Sequence, residues 1–149
     1  LLKPELVLDF HTTTAEQPNI LITADKNNEV VQRFINASAI KDNLVVSPLN
    51  DITTVVSNFV AYEVPNSHLN DDLYEQICTD IARYLDEEAV DQERTFYKMT
   101  GKILPEEEKD TVGLKNFVYN DTLQTIPAFL GEEAYKHDGT YAGFRLKVL

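Results

Sequence analysis

The sequence is poor in cysteine, in basic side chains and in long apolar runs, and its first hundred residues contain no glycine. Cys78 is the one cysteine, which excludes an intrachain disulfide framework and any cysteine-based zinc cluster. A reducing compartment, most simply the cytoplasm, is the expectation. Only 13 Lys and Arg stand against 25 Asp and Glu, a formal charge of −12. Such a chain has little with which to displace counterions from a nucleic acid, and it is repelled by an anionic membrane surface. No apolar run reaches the roughly 20 residues of a membrane-spanning helix. No Gly-rich phosphate loop, Gly-x-Ser-x-Gly elbow, Cys-x-x-Cys pair or His-x-x-x-His helix occurs, and no internal repeat is visible. The chain opens Leu1-Leu2-Lys3-Pro4 and turns apolar almost at once, which reads as a chain cut from something longer.

What is present suits a globular protein: 149 residues, 43% hydrophobic and 26% charged, enough for one domain or for a domain with a small appendage. Leu6-Val7-Leu8 is a continuous apolar stretch and predicts a strand buried on both faces. Residues 19–23 read as a second strand. Residues 27–40 read as a helix carrying Val30, Val31, Phe34, Ile35 and Ala39, with Asn27 or Asn28 as cap. Residues 44–47 and 59–64 give a third and a fourth strand, stopped by Pro48 and Pro65. Strand, helix, strand in this order predicts parallel pairing in an α/β sheet.

The clearest helix spans residues 71–88, with a stripe at Leu73, Ile77, Ile81 and Leu85 widened by Tyr74, Cys78 and Ala82. Cys78 is then a buried small residue. Beyond residue 92 the texture changes. All five glycines fall here, and strand-like pieces recur at 114–119, 124–130 and 143–149. The expectation is an α/β part, residues 1–93, followed by a β-rich unit, residues 94–149. If residues 1–93 are half of a sheet, the first strand has an unpaired edge, and the expectation is that this chain alone aggregates or associates more readily than its parent, with a homo-oligomer one outcome.

Two segments carry chemistry. In Asp9-Phe10-His11-Thr12-Thr13-Thr14 an imidazole sits at the end of a strand, where open α/β sheets place ligands. Asp9, two residues away, lies on the same side and can orient the ring. The threonine hydroxyls either satisfy strand-end backbone groups or contact a substrate. The plainer reading is a strand-end histidine hydrogen-bonded to a loop. In Tyr62-Glu63-Val64-Pro65 a carboxylate interrupts an apolar strand, at a cost unless it is paired, hydrated or protonated. Beside His11 it would suit a general base; alternatively it faces solvent. His68 and His137 sit in polar, turn-like contexts and read as surface residues.

Three blocks together resemble the aspartoacylase and succinylglutamate desuccinylase family of zinc amidohydrolases, in that family's order. Leu8 to Thr14 is similar to its Asp-Leu-His-x-Thr-Thr block. Tyr62-Glu63-Val64 is similar to its Glu-Val segment, and Ile126 to Tyr135 is similar to its late block ending Glu-Ala-Ala-Tyr. The resemblance implies part of a carboxypeptidase-like mixed sheet with helices and a small β-rich domain. It implies Zn2+ with His11 as a ligand and Asp9 behind it, and Glu63 as the general base that later protonates the leaving amine. It also implies Tyr135, with Thr12 and Thr13, as substrate contacts. The reaction implied is hydrolysis of an N-acyl amino acid, acetyl or succinyl. The alternative is a non-catalytic relative that binds a ligand or partner. The family's His-x-x-Glu pair of zinc ligands does not occur here. Its Tyr and Arg ahead of the Glu-Val segment are missing from residues 49–59, so the resemblance does not name the substrate.

Overall fold

The computed structural model of the chain describes residues 4–46 and 58–149. In order, it contains β1 (Val7–Thr13), β2 (Ile20–Thr23), α1 (Glu29–Ala37), β3 (Asp42–Val45), β4 (Phe59–Pro65) and α2 (Asp71–Leu85). It continues with β5 (Thr95–Ile103), α3 (Pro105–Asp110), β6 (Ile126–Ala128), α4 (Glu133–Asp138) and β7 (Gly143–Val148). The strands form one mixed sheet in the order β1-β4-β2-β3-β5-β7-β6, so the fold class is α/β. The β2–α1–β3 unit is parallel, as the strand–helix–strand pattern predicts. β4 is inserted between β1 and β2, parallel to the first and antiparallel to the second. β5 pairs with both β3 and β7, so the sheet runs without a break from the early strands into the late ones.

Alternation along the strands divides the core in two. Leu21, Val60, Tyr62 and Val64 face α1 and α2 and pack with Val31, Phe34, Ile35, Leu73 and Tyr84. Ile20, Leu44, Tyr97 and Leu146 face the other way and pack with Ala128 and Phe129 from the late segments. Glycine is needed where β7 approaches β6: a Cβ on Gly143 would lie 2.7 Å from the Ala128 carbonyl oxygen.

The helix ends are secured by named groups. The Asn28 side chain accepts from the Val30 and Val31 N–H groups at the start of α1. The last turn of α1 has no basic residue of its own. The Arg94 guanidinium, far along the chain, donates instead to the carbonyls of Asn36, Ser38 and Ile40 at 2.8–3.0 Å. Asn70 caps α2 through the Leu73 N–H (2.9 Å).

Several expectations are corrected. Among the described residues β1 is the sheet's edge strand, with partly exposed residues, not a strand buried on both faces, because only β4 flanks it there. The stripe of α2 keeps Leu73, Ile77 and Ile81 but turns toward Asp80 and Tyr84. Leu85 and Tyr74 are exposed (71% and 69%), and Cys78 is exposed rather than buried. The reason is polar: Asp80 bonds inward to α1 and β4, and Tyr84 bonds to Arg33 and Glu5, which sets the helix's rotation. Residues 114–119 form turns rather than a strand, and β6 is only three residues long. β5, which the sequence reading leaves unassigned, joins the two ends of the sheet. Ser47 and Pro48, expected to end the third strand, lie outside the described residues, as do most of residues 49–59.

Asp80 is fully buried and accepts hydrogen bonds from the Ser38 hydroxyl (2.6 Å), the Ala39 N–H (3.0 Å) and the Tyr62 hydroxyl (3.0 Å). Asp80→Ala strands all three donors, and a loss of about 3 kcal/mol in urea unfolding is expected. A loss within the range of an ordinary surface substitution would show that the three bonds do not hold the helices to the sheet.

Candidate functional site

The site is built on the pairing of β1 and β4. Their parallel register sets His11 directly beside Glu63, and β2 sets Ile20 on Glu63's other side. Ile20 belongs to the core layer opposite the long helices, so Glu63 and His11 lie on that face, while Tyr62 points to α1 and α2. Adjacency of the first and fourth strands is what the sequence reading required for these two residues to meet.

Asp9, two residues before His11 on the same face, bonds to its Nε2. The imidazole is largely open, with 58% of its side chain exposed. Glu63 is half-buried, and burial pushes its carboxyl up to about 7. His11 favours the ionised form, whereas Glu132 and Asp9 oppose it. A carboxyl balanced near neutrality can both take and return a proton at ordinary pH.

The late part of the chain reaches this face through Glu132. Its carboxylate accepts from the Thr13 hydroxyl, the Thr14 N–H (2.9 Å) and the Thr14 hydroxyl (3.0 Å). It also accepts from the Ala134 N–H (3.2 Å), capping α4, while the Glu133 N–H donates to the Thr14 hydroxyl (2.7 Å). Burial raises the Glu132 carboxyl, but these hydrogen bonds outweigh it and hold it below the usual range. Tyr135, on the first turn of α4, packs tilted against Tyr141 (4.6 Å) and edge-on to Phe144 (5.6 Å). Burial, then Tyr141, Glu132 and Glu63, push its hydroxyl upward, so it stays protonated. That hydroxyl has no hydrogen-bond partner among the described residues.

The structure therefore groups Asp9, His11, Glu63, Glu132 and Tyr135. Thr13 is buried and its hydroxyl is committed to Glu132, so it positions α4 rather than facing the open side of the site. Thr12 is not brought to the group: it shares strand parity with Phe10, on the opposite face. His68 is half-buried, not a free surface residue, and pairs with Asn19 (2.7 Å). His137 is exposed on α4, as expected. The clasp role of Glu132 has no local sign in the sequence, since the threonines it holds lie over a hundred residues away.

A zinc ion needs three protein ligands or more. Among the described residues no group of three His, Cys, Asp or Glu is placed to hold one. Asp9 is engaged by His11 and the Phe10 N–H, and Glu132 by the threonines. The described residues alone do not fit a zinc site.

Compared by sequence, the chain matches no family model and no curated protein. Compared by structure, the chain shares its α/β fold with several solved structures. The neighbours include murine aminoacylase 3 (TM-score 0.59, 17% identity) and a point mutant of it (0.60, 16%), each covering 95% of this chain. Another is the succinylglutamate desuccinylase of Chromobacterium violaceum (0.60, 10% identity, 95% of this chain). The chain spans 62%, 61% and 53% of those three chains respectively. At such identities the likeness is one of fold, and it is the fold that the sequence resemblance implies. No helix among the described residues is long and apolar enough to cross a membrane.

The raised Glu63 carboxyl fixes a sign for stability. The native state binds this proton more tightly than the unfolded chain, so stability falls as pH rises from the usual carboxylate range toward about 7. Glu63→Gln should melt at a higher temperature than wild type at about pH 8 and match it at about pH 4. Parallel melting curves at both pH values would return Glu63 to an ordinary, solvated carboxylate.

Proposed function

We propose that the chain is the part of an amidohydrolase that carries its proton-transfer residue, and that the substrate is an N-acyl amino acid. The carrying observation is the β1–β4 register, which sets His11 beside a Glu63 carboxyl balanced near 7. The fold shared with aminoacylase 3 and succinylglutamate desuccinylase supports the same reading.

In this reading Glu63, as the carboxylate, takes a proton from the water that attacks the amide carbonyl. It then returns that proton to the nitrogen of the leaving amine. One group can do both because its pKa lies close to the working pH. Asp9 keeps the His11 ring in one orientation. The Tyr135 hydroxyl, held protonated and without a partner among the described residues, is a donor for the substrate's polar end. Thr13 and Glu132 hold α4, and with it Tyr135, against the end of β1. Zinc is proposed as the protein's metal, with His11 as the ligand this chain contributes. Since one imidazole is only a third of a minimal ligand set, no step is assigned to the ion. The exposed free thiol of Cys78 suits a reducing compartment such as the cytoplasm.

The test, made on the intact amidohydrolase of which this chain is proposed to be part, is release of free amine from a panel of N-acetyl and N-succinyl amino acids, with zinc supplied and zinc content measured. Glu63→Gln should reduce turnover by about 10²-fold or more with zinc content unchanged. Undiminished turnover in this variant would remove Glu63 from the mechanism. Binding of the panel without any turnover would favour the non-catalytic alternative.

A further inference from the structure

After Ala128 the chain leaves the β6–β7 ladder and turns toward α4. Phe129 makes the turn at φ +59°, and Gly131 follows at φ +85°. A bulky side chain in the left-handed region is strained, and it persists only where its surroundings over-determine it. Here the determinants are two amide side chains from elsewhere in the chain. The Phe129 N–H donates to Gln17 Oε1 (3.1 Å), and the Leu130 N–H to Asn116 Oδ1 (2.8 Å). Asn116 Nδ2 donates in turn to the Leu130 carbonyl (3.1 Å) and to the Glu16 carbonyl (2.9 Å). One side chain therefore holds both backbone groups of Leu130, as an adjacent strand would. Gln17 is buried, and its acceptor is the half of the amide that is used: Nε2 has no partner among the described residues.

Both amides tie the turn to the loop that follows β1. The Ser67 hydroxyl, just past the end of β4, donates to the Glu16 carboxylate (3.1 Å), so the same loop is tied to the strand that carries Glu63. On the other side of the turn, Phe129 lies edge-on to Phe144 (6.2 Å), and Phe144 lies edge-on to Tyr135 (5.6 Å). Tyr135 thus meets the turn twice, along the backbone through the Glu132 cap and across the Phe144 ring.

We propose that Asn116 and Gln17 are positioning residues for Tyr135. They hold the strained turn that delivers α4, and so fix where the Tyr135 hydroxyl stands relative to Glu63. The inference rests on the reading of Tyr135 as the donor for the substrate's polar end. The Glu132 clasp anchors the start of α4, whereas the two amides anchor the turn ahead of it. Without them the N–H groups of Phe129 and Leu130 lose their acceptors, and Phe129 relaxes toward an ordinary φ.

Two measurements test this. In this chain, labelled with carbon-13 tyrosine, Asn116→Ala should move the ring resonances of Tyr135 and Tyr141 and leave those of Tyr62 and Tyr84, in the other core layer, in place. If Asn116→Ala does not fold, Gln17→Met, which is similar in volume and frees the Phe129 N–H alone, is read in the same way. In the intact amidohydrolase, Asn116→Ala should raise KM about tenfold with kcat within about twofold, and add nothing to the KM of Tyr135→Phe. A folded variant with unmoved Tyr135 resonances overturns the proposal. So do additive effects on KM in the double variant, which would give Asn116 a role apart from Tyr135. An unmodified enzyme without turnover on the panel counts against the proposed function instead, and the tyrosine resonances then decide the positioning role by themselves.

Discussion

A single buried carboxylate, Asp80, sets the geometry on which the site depends. It is wholly removed from water and joins the end of α1 at Ser38 and Ala39, the body of α2, and β4 through the Tyr62 hydroxyl. A charge in that position is expensive unless its lone pairs are filled, so each of its donors is held to a narrow geometry. Arg83 approaches to 3.7 Å, which adds a charge partner at the rim. Tyr62 is held a second time by its rings of contact, flat against Phe10 and edge-on to Phe34 at 5.9 Å. Strand alternation does the rest. With Tyr62 committed to the helical side, Glu63 must face the opposite side, beside His11, and a one-residue slip of β4 would exchange them.

The second constraint is the clasp at Glu132. It fastens α4 to the end of β1 and so carries Tyr135 to the face where Glu63 lies. Its negative charge also opposes ionisation of Glu63, as does Asp9, while His11 favours it. The site's electrostatics thus arise from three carboxylates and one imidazole drawn from β1, β4 and the start of α4. Burial dominates, and the charges around it adjust the balance.

Much of this was legible in the sequence. The α/β class, the parallel β2–α1–β3 unit, a cap at Asn27 or Asn28, and the pair His11 and Glu63 follow from patterns local to a few residues. What was not legible depends on contacts between distant segments. The apolar stripe of α2 suggested Leu85 and Cys78 inside. The helix instead turns Asp80 and Tyr84 inward, because their partners on β4, α1 and Glu5 reward that rotation. Leu6-Val7-Leu8 reads as fully buried because it is apolar, but composition does not reveal that, among the described residues, only β4 flanks β1. β5 is not legible as a strand because its alternation, with Tyr97 and Ile103 buried and Lys98, Thr100 and Lys102 exposed, is diluted by Gly101. Thr12 reads as a substrate contact from the strand-end block it belongs to, whereas strand parity places it on the face of Phe10, opposite His11.

The proposed chemistry depends on the placement of one side chain, the Glu63 carboxyl, half-buried beside His11. The most direct measurement is a carbon-13 NMR titration of that carboxyl in the intact chain. The account predicts a midpoint at about 7, well above the ordinary carboxylate value of 4.5. A midpoint at the ordinary value would contradict it, placing Glu63 in solvent and leaving His11 without the proton-transfer partner on which the proposed chemistry depends.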